Sequence, residues 1–207
     1  MRLRLAKLPK HQHFMNLKVN EIFYSLQGEG GRAGEASIFI RLSGCNLKCL
    51  FCDTDFVYGE SMSLDEILNA IKDYNSHWII WTGGEPTLQL TDEVVSFFKL
   101  KGYNQAIESN GTRPIPQGID YKACSPKGNY SEVCAVNPEV DEIRHVIAKG
   151  DVVPDISSLP KAKKYYLSPI FDGVEPVQEN INYCIEQVKL HPQWALSLQL
   201  HKLIGIR

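Results

Sequence analysis

Cys45, Cys49 and Cys52 lie within one eight-residue stretch, Cys45-Asn46-Leu47-Lys48-Cys49-Leu50-Phe51-Cys52. Three thiolates at C-x3-C-x2-C spacing can face one soft metal centre. A four-iron, four-sulfur (4Fe-4S) cubane normally takes four cysteines, so three local ligands leave one iron open to a substrate. A structural zinc site asks for four closed ligands. The nearest histidines, His13 and His77, are distant in sequence, and Cys124, Cys134 and Cys184 are scattered. Six cysteines in 207 residues are too sparse for a disulfide-stapled domain. The spacing favours a cluster, with zinc and free thiols as the alternatives.

Other segments carry polar or backbone chemistry. Thr82-Gly83-Gly84-Glu85-Pro86 places a glycine pair at a strand end, where backbone without Cβ is open to a ligand. Ser109-Asn110-Gly111 is by itself a turn. Ser125-Pro126-Lys127 sets an ammonium where a carboxylate or ribose edge could meet it. Arg41 sits just before the cysteines, and its guanidinium fork suits a carboxylate or, equally, a surface ion pair. Ser25-Leu26-Gln27-Gly28-Glu29-Gly30 reads alone as a flexible hairpin, and Asp53-Thr54 as a capped turn.

These segments need a frame. Ser37 to Leu42, His77 to Thr82, Gln105 to Ser109, Tyr121 to Ser125, Glu142 to Ile147, Tyr165 to Ser168 and Ala195 to Leu200 are strand candidates. Ser63-Leu64-Asp65-Glu66 is a capping box opening a helix with Leu64, Ile67, Leu68 and Ile71 on one face. A second helix starts near Thr91 and ends by Gly102; a third runs from about Val177 to Leu190, with Pro192 beyond. Strands alternating with helices predict a parallel sheet. The stretch from Asn110 to Gly118 holds two prolines and is too short for a crossover helix. The fold class read from this is α/β, a partial (β/α) barrel with a reduced helical layer. Chemistry in such barrels gathers at the C-terminal strand ends, so the cysteine loop, Gly83-Gly84-Glu85-Pro86, Ser109-Asn110-Gly111, Ser125-Pro126-Lys127 and Ser168-Pro169 should share one rim.

With Phe51 in the aromatic position of C-x3-C-x-aromatic-C, and Gly-Gly-Glu-Pro one strand later, the chain from about Val19 onward resembles the radical S-adenosylmethionine enzymes. The resemblance implies a 4Fe-4S cluster on Cys45, Cys49 and Cys52 and S-adenosylmethionine (SAM) held by Phe51, Asp53, Gly84, Glu85, Ser109, Asn110, Ser125, Lys127, Ser168 and Ile170. Within the family it is closest to members that contract 6-carboxy-5,6,7,8-tetrahydropterin to a carboxylated deazaguanine with loss of ammonia. That likeness implies substrate contacts from Leu26, Gln27, Gly28, Glu29, Arg41 and Thr82, and Mg2+ on Thr54. Gln199, His201 and Lys202 match a late family segment, with His201 read as a packing residue. No residue is nominated as an acid or base, since the radical cofactor carries the chemistry. A flavodoxin- or ferredoxin-like reductant and a homodimer are also implied. A protein-activating radical enzyme and a non-catalytic iron–sulfur protein are the rival classes; the former usually carries extra cysteine groups, and the latter has no need of the Gly-Gly-Glu-Pro loop.

The net charge of −2 gives no electrostatic reason to expect nucleic acid. No apolar run reaches the length of a membrane span. Cluster cysteines require a reducing compartment, which favours the cytoplasm. Residues 1–14, basic and without an acid, read as a flexible extension lacking signal-peptide features, and 15–207 as a single domain.

Overall fold

The structure, a computed structural model, describes residues 15–50, 52 and 55–207. The N-terminal extension expected over 1–14 lies outside them, as do Phe51, Asp53 and Thr54. Among the described residues nine strands form one sheet. They are β1 (Asn16–Leu26), β2 (Ala36–Leu42), β3 (Glu60–Ser63), β4 (Trp78–Gly83), β5 (Asn104–Ser109), β6 (Tyr121–Cys124), β7 (Glu139–Ile147), β8 (Lys161–Pro169) and β9 (Ala195–Leu196). The spatial order is β3-β1-β2-β4-β5-β6-β7-β8-β9. From β2 through β9 every pairing is parallel, while β1 and β3 add an antiparallel edge. The helices are α1 (Leu64–Ile71), α2 (Asp92–Leu100), α3 (Tyr130–Val136), α4 (Gln178–Leu190) and α5 (Leu200–Ile204).

The alternation within β2 shows how the sheet is built. Ile38, Ile40 and Leu42 are wholly buried and join the main core with Ile67, Ile71, Val94 and Phe98 of α1 and α2. Phe39 points to the other face, where it forms a small cluster with Ile80 and Ala106. A strand covered on both sides is the signature of parallel sheets. The inner face turns polar toward the strand C-termini: two residues beyond Phe39 and Ile80 come the register partners Arg41 and Thr82. At the opposite end, a short turn at Gly30–Arg32 plugs the interior, with the Arg32 guanidinium 3.5 Å from the centre of the Trp78 ring.

The capping box at Ser63 is present, its hydroxyl accepting from the Glu66 amide while Glu66 accepts from the Ser63 amide. Thr91 caps α2. β5 and β6 are joined without a helix, so the helical layer is incomplete as expected. Some expectations change. The strand expected over Ala195–Leu200 is only Ala195–Leu196, because Leu200 opens α5 and bonds through its amide to the Gly28 carbonyl. β7 and β8 begin earlier than their apolar runs, at Glu139 and Lys161. β1, β3, α3 and α5 were not marked by the strand and helix patterns read above.

Candidate active site

A cavity of about 580 Å³ opens at the C-terminal ends of the parallel strands. Cys45, Cys49 and Cys52 from the loop after β2 line it, with Gly84 after β4, Ser109 and Asn110 after β5, Ser125 and Lys127 after β6, and Ser168 and Ile170 at the end of β8. Leu26, Gln27, Gly28, Glu29, Arg41 and Thr82 line the same space. One rim therefore gathers nearly all the residues singled out by motif.

The loops are fixed to one another. The Gly84 amide donates to the Leu42 carbonyl at 3.1 Å, and the Glu85 amide to the Gly44 carbonyl at 2.9 Å. A Cβ on Gly84 would stand 1.9 Å from the Gly44 oxygen, so only glycine permits this contact. Asn46, inside the cysteine stretch, donates to Thr112 at 2.8 Å and accepts from Asn110 at 3.1 Å. The cysteine loop is thus braced against both neighbouring turns.

Glu85 differs from the expectation of a direct cofactor contact. It is wholly buried and absent from the cavity lining. One carboxylate oxygen accepts from the Thr87 amide (3.0 Å), the Thr87 hydroxyl (2.6 Å) and the Ser109 hydroxyl (2.9 Å), and the other from the Asn110 amide (2.7 Å). Its side chain serves the site by holding Ser109 and Asn110.

The cavity is compatible with the implied groups. Three thiols enter it from one loop. No three His, Cys, Asp or Glu side chains among the described residues are arranged to hold one metal ion; a cubane presents three separate irons, which asks for three spaced thiolates instead. The Ser168 hydroxyl is buried at the cavity wall without a hydrogen-bond partner among the described residues, which is how a group awaiting a ligand looks. Lys127 donates to Ser125 at 3.0 Å; burial pushes its ammonium below the usual lysine range, against the pull of Cys49 and Glu29. Cys124 and Cys184, by contrast, are fully buried, and burial pushes both thiols up to about 12. They are packing residues.

The remaining wall is charged and ordered. Arg41 donates through Nε to Glu21 at 2.8 Å, and the Arg207 guanidinium pairs with the other Glu21 oxygen. Both guanidiniums lie over the Phe23 ring, and the Ser25 hydroxyl donates to the Arg207 carbonyl. Opposite, Arg144 of β7 is buried among Glu29, Glu108 and Glu142. Gln199 donates to Glu29 at 3.1 Å. A Cβ on Gly28 would meet the His201 ring at 2.1 Å, so the segment opening α5 rests directly on the Gln27–Glu29 loop.

A family description, the Radical SAM superfamily, matches residues 39–121. A 7-carboxy-7-deazaguanine synthase of Bacteroides thetaiotaomicron is 42% identical over 193 residues, covering 93% of this chain and all of the relative. One from Haemophilus influenzae is 41% identical over 95% of this chain and 97% of the relative. The chain belongs to the 7-carboxy-7-deazaguanine synthase family. The crystal structure of QueE from Escherichia coli, at 24% identity, shares the fold with a TM-score of 0.71 over 92% of this chain and 96% of that one.

In this member of the 7-carboxy-7-deazaguanine synthase family, the motif reading missed Glu108 and Arg144, both of which line the cavity. Neither stood out locally: Arg144 sits in β7 among Asp141, Glu142 and His145, and Glu108 lies between Ile107 and Ser109 in a strand that opens on Asn104 and Gln105. His201 also lines the cavity rather than only packing.

Proposed function

We propose that this chain is a radical SAM enzyme that converts 6-carboxy-5,6,7,8-tetrahydropterin to 7-carboxy-7-deazaguanine with loss of ammonia. The observation that carries the reading is a single cavity whose one side collects the three thiols and the Gly84, Ser109, Asn110, Ser125 and Lys127 contacts, and whose other side presents Arg41, Thr82 and Gln27. Nearly full-length identity above 40% to synthases of that name supports it.

Cys45, Cys49 and Cys52 would hold the cluster. When bound, the cluster and SAM supply one-electron reductive cleavage of the sulfonium and abstraction of a substrate hydrogen. The chain's own work is placement and exclusion of water. Gly84 and Asn110 offer backbone and amide groups to a polar methionine end, Ser125 and Lys127 a hydroxyl and an ammonium to the ribose side. Ser168 and Ile170 close the wall. Arg41 meets the pterin carboxylate: Glu21 fixes its Nε, leaving the rest of the fork toward the cavity. Gln27 and Thr82 are polar neighbours of the ring. Phe51 and Asp53 as SAM contacts and Thr54 as the Mg2+ ligand complete the assignment; all three lie outside the described residues, and no step is routed through the ion.

The reading extends to residues 15–207 as one catalytic domain, a flavodoxin- or ferredoxin-like donor, a homodimer and a cytoplasmic setting. These follow from the family resemblance and from the redox needs of the cluster. Among the described residues no helix is long and apolar enough to cross a membrane.

The test is anaerobic reconstitution with iron and sulfide, followed by incubation with dithionite and SAM, with and without the carboxylated pterin. 7-Carboxy-7-deazaguanine and 5′-deoxyadenosine should both form, the deazaguanine only when pterin is present. A fully reconstituted enzyme that turns over no pterin would overturn the reading.

A further inference from the structure

Arg144 is about 6% exposed, and its guanidinium is ringed by three carboxylates from three parts of the chain. NH2 donates to Glu108 Oε1 at 2.7 Å and NH1 to Glu29 Oε2 at 3.1 Å. Nε lies 2.9 Å from Glu142 Oε1, at ion-pair distance but without hydrogen-bond alignment. The three carboxylates are not equivalent. Glu142 is turned away from the cavity, where the Gly31 amide and the Tyr121 hydroxyl each donate to it at 2.7 Å. Glu108 and Glu29 instead line the cavity, with 26% and 21% of their side chains exposed there.

Glu108 is only partly satisfied. Its Oε1 takes Arg144 and, at 2.8 Å, Gln27; among the described residues its Oε2 takes only a long 3.3 Å bond from Thr82. One guanidinium among three carboxylates leaves a formal excess of two negative charges, which the Lys127 ammonium lining the same cavity offsets only in part. Such an excess calls for proton donors from a ligand. The basic Arg41 stands two strands away, on β2 against β5 for Glu108, roughly 10 Å along the sheet. The cavity therefore offers an acceptor end and a cationic end, with Thr82 between them. A carboxylated pterin has the matching polarity: adjacent N–H donors on its aminopyrimidinone edge and a carboxylate at the far side.

We propose that Arg144 is a positioning residue: it clamps Glu108 and Glu29 as a pair of charged acceptors for the aminopyrimidinone N–H edge, and so sets which way the pterin lies. This rests on the function proposed above. Arg144 acts through the two carboxylates, by the fork that holds one oxygen of each. Burial alone would raise the Glu108 carboxyl, but the guanidinium with the Gln27 and Thr82 donors holds it below the usual carboxylate range. Around Glu108 the charged neighbours are Arg144 and Glu142 of β7 and Glu29 of the loop after β1; Lys127 and His201 line the same cavity.

The test uses reconstituted holoenzyme with SAM and compares wild type with Arg144→Lys, which keeps the charge but loses the fork. Wild-type turnover of the pterin is measured first; its failure would sink the functional reading, not this one. Arg144→Lys should raise KM for the pterin at least tenfold with a smaller change in kcat. It should also move the acid limb of kcat/KM modestly to higher pH, because Glu108 must be ionised to accept, and Lys keeps the nearby charge but loses the fork's hydrogen bond that helps hold its carboxyl down. Arg144→Lys with wild-type KM and pH profile would overturn the proposal. Should Arg144→Lys not fold, Glu108→Gln decides: its amide oxygen can still accept from Arg144. It should lose at least tenfold in equilibrium affinity for fluorescent 6-carboxypterin while retaining SAM binding. Unchanged affinity in Glu108→Gln would equally overturn it.

Discussion

At the residue scale, the contrast between Glu85 and Glu108 is instructive. Both are carboxylates on the same rim, yet Glu85 is saturated by protein donors and Glu108 keeps one oxygen half-used. The first is architecture; the second waits for a ligand. In Glu85→Gln one oxygen can still serve Thr87 and Ser109, but the NH2 that replaces the other faces the Asn110 amide and leaves that buried donor unsatisfied, at about 2 kcal/mol. Glu85→Gln is therefore expected to lower Tm by roughly 4–8 °C for a chain of this size, and to weaken SAM binding as the Ser109–Asn110 turn loosens. Thermal unfolding and titration of SAM into reconstituted protein check both; an unchanged Tm would show that the turn holds without the carboxylate.

At the scale of elements, the outward-facing signals were readable. Ser63 and Glu66 mark the start of α1 by type and spacing, and Ile67 and Ile71 supply its buried face. Ser63→Ala should cost about 1 kcal/mol, since the hydroxyl satisfies an otherwise orphaned helix amide. Urea unfolding measures this, and turnover should be unaffected because α1 packs on the outer face of the sheet, away from the cavity. The inner face was less readable. A parallel strand buried on both sides gives no clean alternation, so Arg144 and Glu108 carried no periodic signal that set them apart from surface charges. Their roles depend on which strands become neighbours, and that is decided by the sheet order. α5 escaped for a related reason: its first residue is held by the distant Gly28 carbonyl, a contact no local pattern encodes.

For the whole molecule, the rim prediction held because strand direction and connection are strongly constrained: parallel strands must end on the same side, so loops with chemistry converge. The last residues join that rim as well. Arg207 sits over Phe23, bonds to Ser25 and shares Glu21 with Arg41. Residues added after Arg207 would begin at the cavity wall beside Arg41, where the pterin carboxylate is proposed to bind. A C-terminal hexahistidine tag is accordingly expected to raise KM for the pterin several-fold over protein tagged at the other end, and cleaving the tag should restore it. Equal kinetics for the two fusions would show the wall beside Arg41 to be roomier than this packing implies. Purification strategy thus becomes a probe of that wall itself.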